Sequence, residues 1–457
     1  MSRAMQALTL PLIVAHFAWA RWRWRYLRGA RLRRWQDRRA RQVVTYAQQR
    51  SPFYRWHWAG HNTLGWRTLP TVNKRLMMDN FGRFNTRGVG KDEAMSVALR
   101  AETTRDFSPT VRGLTVGLSS GTSGHRGIFL ANGLEQAAWA GTILARTLHR
   151  LRLRRLRVAF FLRSNSNLYE KVGGLLVQFR FFDLMLPLDE AVSALNDYDP
   201  HIIVGPPSLL GLLAGEHGAR RLRIDPERLV SVAEVLEPQD QEYVESVFRA
   251  PVHQIYQCTE GLLAVSCARG SLHVQEDLVV LQMEPLPGDG ERATPIVTDL
   301  WRRTQPIIRY RLNDVLKMQR EPCPCGSPYR VIEAIEGRCD DICHFLTESG
   351  TRLFFPDTVR RMVLLASPEI IDYQAFQERP GHLRIHLELP PGACFEEVAS
   401  QVRASVEATV AQYACLPTDI EVERGLTLTT PGTKRRRVIN LHATKRSHEQ
   451  PSAADQP

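Results

Sequence analysis

The chain has 457 residues, of which 43% are hydrophobic and 24% charged. That is a globular composition, which excludes a wholly disordered or fibrous protein, and the length predicts two or three domains rather than one core. The net charge is +12, with a sequence pI near 9.6, and the excess is clustered at Arg21–Arg50, Leu148–Arg157 and Lys434–Arg437. Such clusters suit nucleic acid, an anionic membrane, an acidic partner or plain solvent. No nucleic-acid motif accompanies them, so no nucleic-acid partner is expected.

Residues 1–50 read as a basic, amphipathic helical extension. Within it Ala7–Ala20 is apolar but too short to span a bilayer, with Pro11 and His16 inside, and lacks the flanks of a secretion signal. An interfacial helix fits Trp19, Trp22, Trp24 and Tyr26 beside arginines. Pro52 breaks the helix, and residues 56–110 read as mixed structure. The stretch Leu118–Leu130 (LSSGTSGHRGIFL), with apolar residues on both sides, reads as strand, tight glycine-rich loop, strand. Its glycines let backbone turn and approach a ligand, and its N–H and hydroxyl groups suit phosphate.

Beyond it, Gly133–Leu151 has helical spacing. Arg157–Leu162 reads as a buried strand, Leu168–Gln178 as a helix and Phe181–Pro187 as a strand. Ile202–Val204 is a strand, Ser208–His217 a helix, and Val230–Val235 and Val252–Ile255 are strands flanking a helix at Gln239–Phe248. This alternation predicts a mostly parallel sheet covered by helices, an α/β architecture. Residues 261–335 read as a strand-rich subdomain. A small, mobile α+β C-terminal unit follows, with a helix near Pro356–Leu365, an alternating strand at His382–Leu389 and a helix at Phe395–Ala414. The expected division is a large domain at 51–339, a lid at 340–445 and a disordered tail at 446–457. Eight cysteines without a secretory context predict reduced thiols and a cytoplasmic protein.

The glycine-rich loop lacks the Gly-Lys-Ser/Thr of a P-loop. Other segments add to it. Tyr256-Gln257-Cys258-Thr259-Glu260-Gly261 follows a strand, where ligands of parallel sheets gather. A tyrosine there can stack on a purine, a threonine can bond phosphate and a glutamate can hold Mg²⁺. Pro306–Asp314 (PIIRYRLND) ends in a carboxylate able to accept from ribose hydroxyls. Gly337-Arg338-Cys339-Asp340-Asp341 and Gly432–Arg437, containing Lys434, complete the set.

In this order and at these separations the segments resemble the adenylate-forming superfamily of acyl- and aryl-CoA ligases, luciferases and peptide-synthetase adenylation domains. The phenylacetate-CoA ligase branch, with the related deazaflavin-coenzyme adenylyl-synthetases, matches best, over residues 40 to 440. The resemblance implies a two-step reaction. A carboxylate attacks the α-phosphate of Mg·ATP to give acyl-adenylate and pyrophosphate, and a thiol, usually coenzyme A, then displaces AMP. It further implies that Ser119, Ser120, Gly121, Thr122, Ser123 and Gly124 hold the β- and γ-phosphates. Tyr256 would pack on adenine, Thr259 contact phosphate, Glu260 hold Mg²⁺, Asp314 bind ribose and Arg338 reach a phosphate. Asp340 would be the hinge of the lid, and Lys434 would bridge the carboxylate and the α-phosphate.

The chain departs from many relatives in three places. His125 and Arg126 stand where a lysine often follows the loop, Thr433 stands where glycine often precedes the lysine, and Asn313 replaces Gly or Arg. At neutral pH His125 is mostly uncharged, which leaves Arg126 as the cation for that place. The branch resemblance also implies a structural four-ligand Zn²⁺ site of Cys267, His273, Cys323 and Cys325, a donor set that suits tetrahedral zinc. Ala233-Glu234 resembles the pair that precedes the adenine wall. The pocket is expected near Leu134–Thr142, Gly205–Leu210 and Ala233–Pro238, with Phe160, Phe161 and Tyr169 as aromatic walls or core. The acid is left open between aryl and medium-chain. Also left open are an acyl carrier protein thiol in place of coenzyme A, AMP transfer to a phenolic coenzyme with no thiolation, a membrane surface at the N-terminal helix, and a second copy of the chain. A non-catalytic homologue disagrees with the presence of Glu260, Asp314 and Lys434.

Overall fold

The computed structural model describes residues 3–106, 108–119, 126–148, 155–162, 177–286, 289–426 and 436–442. The chain divides into two compact units, one of residues 1–312 and 317–334 and one of residues 313–316 and 335–457.

The larger unit begins with helices α1 (Arg3–Tyr26) and α2 (Gly29–Arg50). Helix α2 buries Leu32, Trp35, Ala40, Val43, Val44 and Ala47 on one face, the stripe expected of a core-facing helix. Ser51 then caps α3 (Pro52–His57): its hydroxyl accepts from Tyr54 N at 3.2 Å, and Pro52 occupies the first turn, where no N–H is needed. The region read as mixed is helical, with α4 (Lys74–Asp79), α5 (Phe81–Phe84) and α6 (Lys91–Thr104). Helices α4 and α5 are too short for a clear apolar period, and α4 is marked by a side-chain cap instead. Asn73, for example, accepts from Leu76 N at 2.9 Å.

Strands β1 (Thr115–Leu118) and β2 (Ile128–Ala131) form the expected hairpin, in register Leu118↔Ile128. Gly117 is required there, since a Cβ would fall 2.1 Å from the ring of its partner Phe129. Helix α7 (Gly133–Thr147) follows. The main sheet has a parallel half, β3 (Leu156–Leu162), β4 (Val177–Asp183), β5 (Ile202–Gly205), β6 (Arg228–Val232) and β7 (Val252–Cys258), in spatial order 4-3-5-6-7. Helices α8 (Leu188–Tyr198), α9 (Pro207–Gly218) and α10 (Pro238–Phe248) connect these strands. Their apolar faces pack with Ala159, Phe161, Ile203 and Leu229 into one core.

The helix expected at Leu168–Gln178 falls mostly outside the described residues, but Val177 and Gln178 belong to β4. That strand starts earlier than expected and stops at Asp183, whose carboxylate accepts from Met185 N at 3.0 Å and turns the chain toward α8. After β7 the pattern becomes antiparallel through β8 (Gly261–Ser266) and β9 (Leu272–Val274). Strands β10 (Val279–Pro285), β11 (Arg292–Asp299), β12 (Tyr310–Arg311), β13 (Asp314–Met318) and β14 (Val331–Arg338) extend the sheet. This antiparallel half is the strand-rich part foreseen for residues 261–335.

The smaller unit holds a hairpin, β15 (Cys343–Thr347) with β16 (Gly350–Phe354). It also holds a four-stranded sheet of order β19-β18-β17-β20, made of β17 (Asp372–Gln377), β18 (His382–Glu388), β19 (Asp419–Arg424) and β20 (Val438–Asn440). Helices α11 (Pro356–Leu364) and α12 (Phe395–Gln412) pack against its apolar face, burying Val359, Val363, Leu383, Ile385, Val402 and Val406.

Candidate active site

In the larger unit the parallel strands β3, β5, β6 and β7 run in one direction, so their carboxyl ends share one edge. That edge is where ligands of α/β sheets bind. Just past β6, Ala233 adopts φ +71, a conformation costly for a residue with a Cβ and one that clusters at binding sites. The next residue, Glu234, accepts from Ser208 N at 3.3 Å, at the start of α9.

Strand β7 carries Tyr256, Gln257 and Cys258 and turns into β8 through Thr259 and Glu260. Gln257 accepts from the Trp139 indole at 3.0 Å. The Thr259 hydroxyl donates to Glu260 Oε2 at 2.8 Å, and Glu260 is buried. A carboxylate fixed at a strand end by an adjacent hydroxyl is a preorganised oxygen ligand. Next to it lies the buried hydroxyl of Tyr310; burial and the Glu260 charge raise its pKa well above the ordinary tyrosine value.

The phosphate-loop candidates Ser120, Gly121, Thr122, Ser123 and Gly124 lie outside the described residues, as does His125. Their base is described. Ser119 N donates to Gly127 O at 2.8 Å, and Gly127 N donates to Ser119 Oγ at 2.7 Å. Ser119 therefore clasps the loop's neck with its side chain. Arg126 does not stand free for a phosphate: it forms a two-pronged ion pair with Glu102 of α6, one arm at 2.8 Å, and also donates to Ser119 O at 3.3 Å. The expectation that Arg126 replaces the missing lysine gives way to a bracing role.

The sequence reading missed the segment Asp299–Gln305, which joins these pieces. Buried Asp299 accepts from Trp301 N at 2.7 Å and Arg302 N at 2.9 Å, and burial pushes its carboxyl pKa up. Arg302 donates to the carbonyl of Thr259 and, at 3.3 Å, to Gln305 Oε1. Gln305 in turn bonds both ways to β2, accepting from Leu130 N at 2.9 Å and donating to Ile128 O at 3.0 Å. The carboxylate of Glu135 accepts from Arg303 N at 2.7 Å and Thr304 N at 2.9 Å. One segment thus ties the loop hairpin, the Thr259–Glu260 turn and the start of α7 together. Its only sequence signal was a buried-strand neighbour, PIIRYR, downstream.

In the smaller unit, Asp314 opens β13 and Arg338 ends β14. Asn313 O accepts from Cys339 N at 2.9 Å, and the Asn313 amide donates to the Asp340 carboxylate. Asn313, noted as a departure from relatives, therefore holds the expected hinge residue. Gly337 adopts φ +109, with space beside Pro356 for no side chain. Asp341 pairs with Arg436, and Arg437 with buried Asp372 at 2.7 Å. Lys434 lies outside the described residues. The surface group His382, Asp419 and Glu421 has its carboxylates exposed, with Asp419 already facing Arg379 at 3.3 Å.

A third constellation sits in the larger unit. The donor atoms of Cys267, His273, Cys323 and Cys325 all lie within 4.8 Å of one another. Cys267 Sγ is 3.9 Å from Cys323 Sγ, and Cys325 Sγ is 3.4 Å from His273 Nε2. For Zn–S bonds near 2.3 Å, a tetrahedron has edges of about 3.8 Å, so the spacing fits zinc. His273 Nδ1 faces Tyr329 O at 2.9 Å, which fixes the tautomer that leaves Nε2 free for a metal. Backbone N–H groups of Arg269, Cys325 and Ser327 each point at a sulfur at 3.4 Å.

All eight cysteines are free, and among the described residues no helix is long and apolar enough to cross a membrane.

No family model matches the chain. It is 26% identical over 469 residues to the phenylacetate-coenzyme A ligase of Thermus thermophilus, covering 90% of this chain and 97% of that protein. Among solved structures it is similar to a 2-hydroxyisobutyryl-CoA ligase in complex with R3-HIB-AMP, with TM-score 0.67 and 18% identity over 90% of this chain and 91% of the other. An anthranilate CoA ligase in complex with anthranoyl-AMP aligns with TM-score 0.52 and 15% identity, over 73% of this chain and 67% of the other. The chain has the fold of the adenylate-forming CoA ligases and is a relative of phenylacetate-CoA ligase.

Proposed function

We propose that this protein activates a carboxylic acid with ATP, releasing pyrophosphate, and passes the acyl group from acyl-AMP to the thiol of coenzyme A. The observation that carries the reading is the buried Glu260 carboxylate. It is fixed by Thr259 at the carboxyl edge of the parallel strands, and Arg302 and Gln305 brace it against the hairpin that bears the glycine-rich loop. Both half-reactions build charge on phosphate or acyl oxygens, so preorganised donors and cations supply most of the rate.

In this reading Ser119 to Gly124 hold the β- and γ-phosphates, Tyr256 packs on adenine, and Thr259 and Arg338 contact phosphate. Asp314 accepts from the ribose hydroxyls, and Lys434 bridges the attacking carboxylate and the α-phosphate. Glu260 would ligate Mg²⁺, which supplies charge neutralisation at the phosphates. Asp340 is the hinge of the lid. Cys267, His273, Cys323 and Cys325 would hold a structural Zn²⁺, since a closed set of four protein ligands leaves no position for substrate. The compartment is the cytoplasm, in keeping with free thiols. The acid class is aryl or similar, after the 26%-identical relative.

The test is pyrophosphate release from ATP with a panel of aryl and short branched acids, with and without coenzyme A. Acid-dependent pyrophosphate and coenzyme A consumption are expected. Pyrophosphate without coenzyme A consumption redirects the acceptor to a carrier-protein thiol, and no pyrophosphate with any acid refutes the reading.

A further inference from the structure

Helix α1 is apolar on its outer side as well as its inner one. Its inward face carries a charge: Arg23 is buried against Asp277 at 2.6 Å, beside buried Ile13, Ala20 and Leu27. Its outward face exposes no charged side chain from position 10 to 22. From position 10 to 24 every exposed residue is apolar, with Leu10, Val14, Trp19 and Trp22 the large ones among them, and Pro11, Ala15 and Ala18 filling the same side. Leu10 is 54% exposed, Val14 57% and Trp22 49%, and Tyr26 extends the face at 46%. Soluble helices place such residues inward and polar ones outward. A contiguous apolar helix face left uncovered is the mark of a docking surface.

The residues that follow say what covers it. Directly beyond the apolar stretch, Arg25, Arg28, Arg31, Arg33 and Arg34 are all exposed. The sequence holds no acidic residue before Asp37. An apolar strip ending in Trp and Tyr and continuing into unopposed arginines is complementary to an anionic lipid surface. Acyl chains accept the strip, the aromatic rings seat at the headgroup boundary, and the guanidinium groups face lipid phosphates. A second copy of the chain would bring arginine against arginine at a two-fold contact, which disfavours it.

The opposite side of α1 is anchored rigidly. A Cβ at Gly141 of α7 would lie 2.4 Å from Ile13 O, so the two helices meet backbone to backbone. The strip is therefore presented on a fixed platform. We propose that α1 docks the protein, lying in the plane of the interface, on membranes rich in anionic phospholipid. The proposal is independent of the assigned reaction.

The test is co-sedimentation of the full chain with vesicles of phosphatidylcholine alone and of phosphatidylcholine with phosphatidylglycerol, at low and high salt. Binding to the anionic vesicles that weakens with salt is expected, with little binding to the neutral ones. The triple variant Leu10→Ser, Val14→Ser, Trp22→Ser should lower the partition roughly tenfold or more, given lost methylene burial at three sites. Leu365→Ser, at an exposed leucine elsewhere, should leave it unchanged. The three positions are exposed, so unfolding transitions matching wild type should accompany the loss. Absence of anionic-vesicle binding, or a triple variant that sediments like wild type, overturns the proposal. So does a dimer in solution that the triple variant makes monomeric without any vesicle binding, or capture of an acidic protein in its place.

Discussion

Asp277→Asn is the sharpest test of how the N-terminal helices are held. Asp277 is fully buried, and its Oδ2 receives Arg23 Nε at 2.6 Å and Arg146 Nη2 at 2.8 Å. Arg146 also donates to Gln275 Oε1 at 2.6 Å and to Ala20 O at 2.7 Å, so it grips α1 from α7. Arg23 lies 4.8 Å from the ring centroids of both Trp19 and Trp301. Asparagine keeps the shape and removes the charge, leaving two guanidinium groups buried without an anion. Breaking a buried pair in this way costs about 3–5 kcal/mol. An exposed pair such as Arg67–Asp37 contributes about 0–1 kcal/mol, so Asp37→Asn is the matched control. The assay is urea unfolding of the larger unit's transition, followed by tryptophan fluorescence, with limited proteolysis of α1 in parallel. Burial pushes the Asp277 pKa up, but the charges of Arg146 and Arg23 outweigh it and hold it below the usual range. A depressed folded value contributes stability above the unfolded pKa near ~3.9 and loses it as pH falls through the folded value. The gap between wild type and variant should therefore be full at neutral pH and close below about pH 4. A loss under about 1 kcal/mol at pH 7 would place the pair with exposed ones and refute the reasoning.

Lys434→Ala should abolish pyrophosphate formation while leaving thioester formation from supplied acyl-adenylate largely intact; equal loss of both half-reactions contradicts its role. Cys323→Ser with Cys325→Ser should remove bound zinc, measured by metal analysis, and lower the melting temperature of the larger unit; unchanged metal content sinks the site. Arg302→Gln should cut the adenylation rate by roughly tenfold to a hundredfold through misplacement of Thr259 and Glu260. Arg302→Lys should restore only part of it, and a proportional drop in melting temperature instead would point to a merely structural arginine.

Local chemistry made much of this fold readable. The alternation of β-branched and aromatic runs with helical spacing placed β3, β5, β6, β7 and helices α7, α9 and α10 within a few residues, but not α8. Five short motifs singled out the loops proposed to hold ATP. What escaped had no local signature. Helices α4 and α5 are four to six residues long, too short for periodicity to mark them. Strand β4 starts at Val177, inside the stretch Leu168–Gln178 that reads as a helix. The four residues of the Cys/His cluster could be paired from spacing only with help from a resemblance, because the sequence separations Cys267–Cys323 and His273–Cys325 are closed by β9 meeting β14. The bonds of Arg302 and Gln305 were invisible, because their partners lie 43 and 175 residues away.

That last group also changes how the basic N-terminus is understood. Read alone, it was an appendage with no counterpart and a surplus of charge. In the fold, Trp301 stands between it and the site. The Trp301 indole donates to Asp277 O at 3.3 Å and packs edge-on to Trp19 at 4.9 Å, while Arg39 covers it at 4.1 Å. One residue on, Arg302 holds the Thr259 carbonyl. Trp24 meets His273 and Tyr329 edge-on at 5.6 and 4.8 Å, so the same helix closes over the cysteine cluster. Cations on aromatic faces gain most where water is excluded, and here Arg23 and Arg39 share one indole. A shift of α1 would therefore be felt at Trp301, and through the hydrogen-bonded turn Asp299–Gln305 at both the Thr259–Glu260 turn and the hairpin below the glycine-rich loop. The physical demand on α1 is then double. Its inner face must lock Asp277 and Trp301 through Arg23, while its outer face keeps Leu10, Val14, Trp19 and Trp22 exposed.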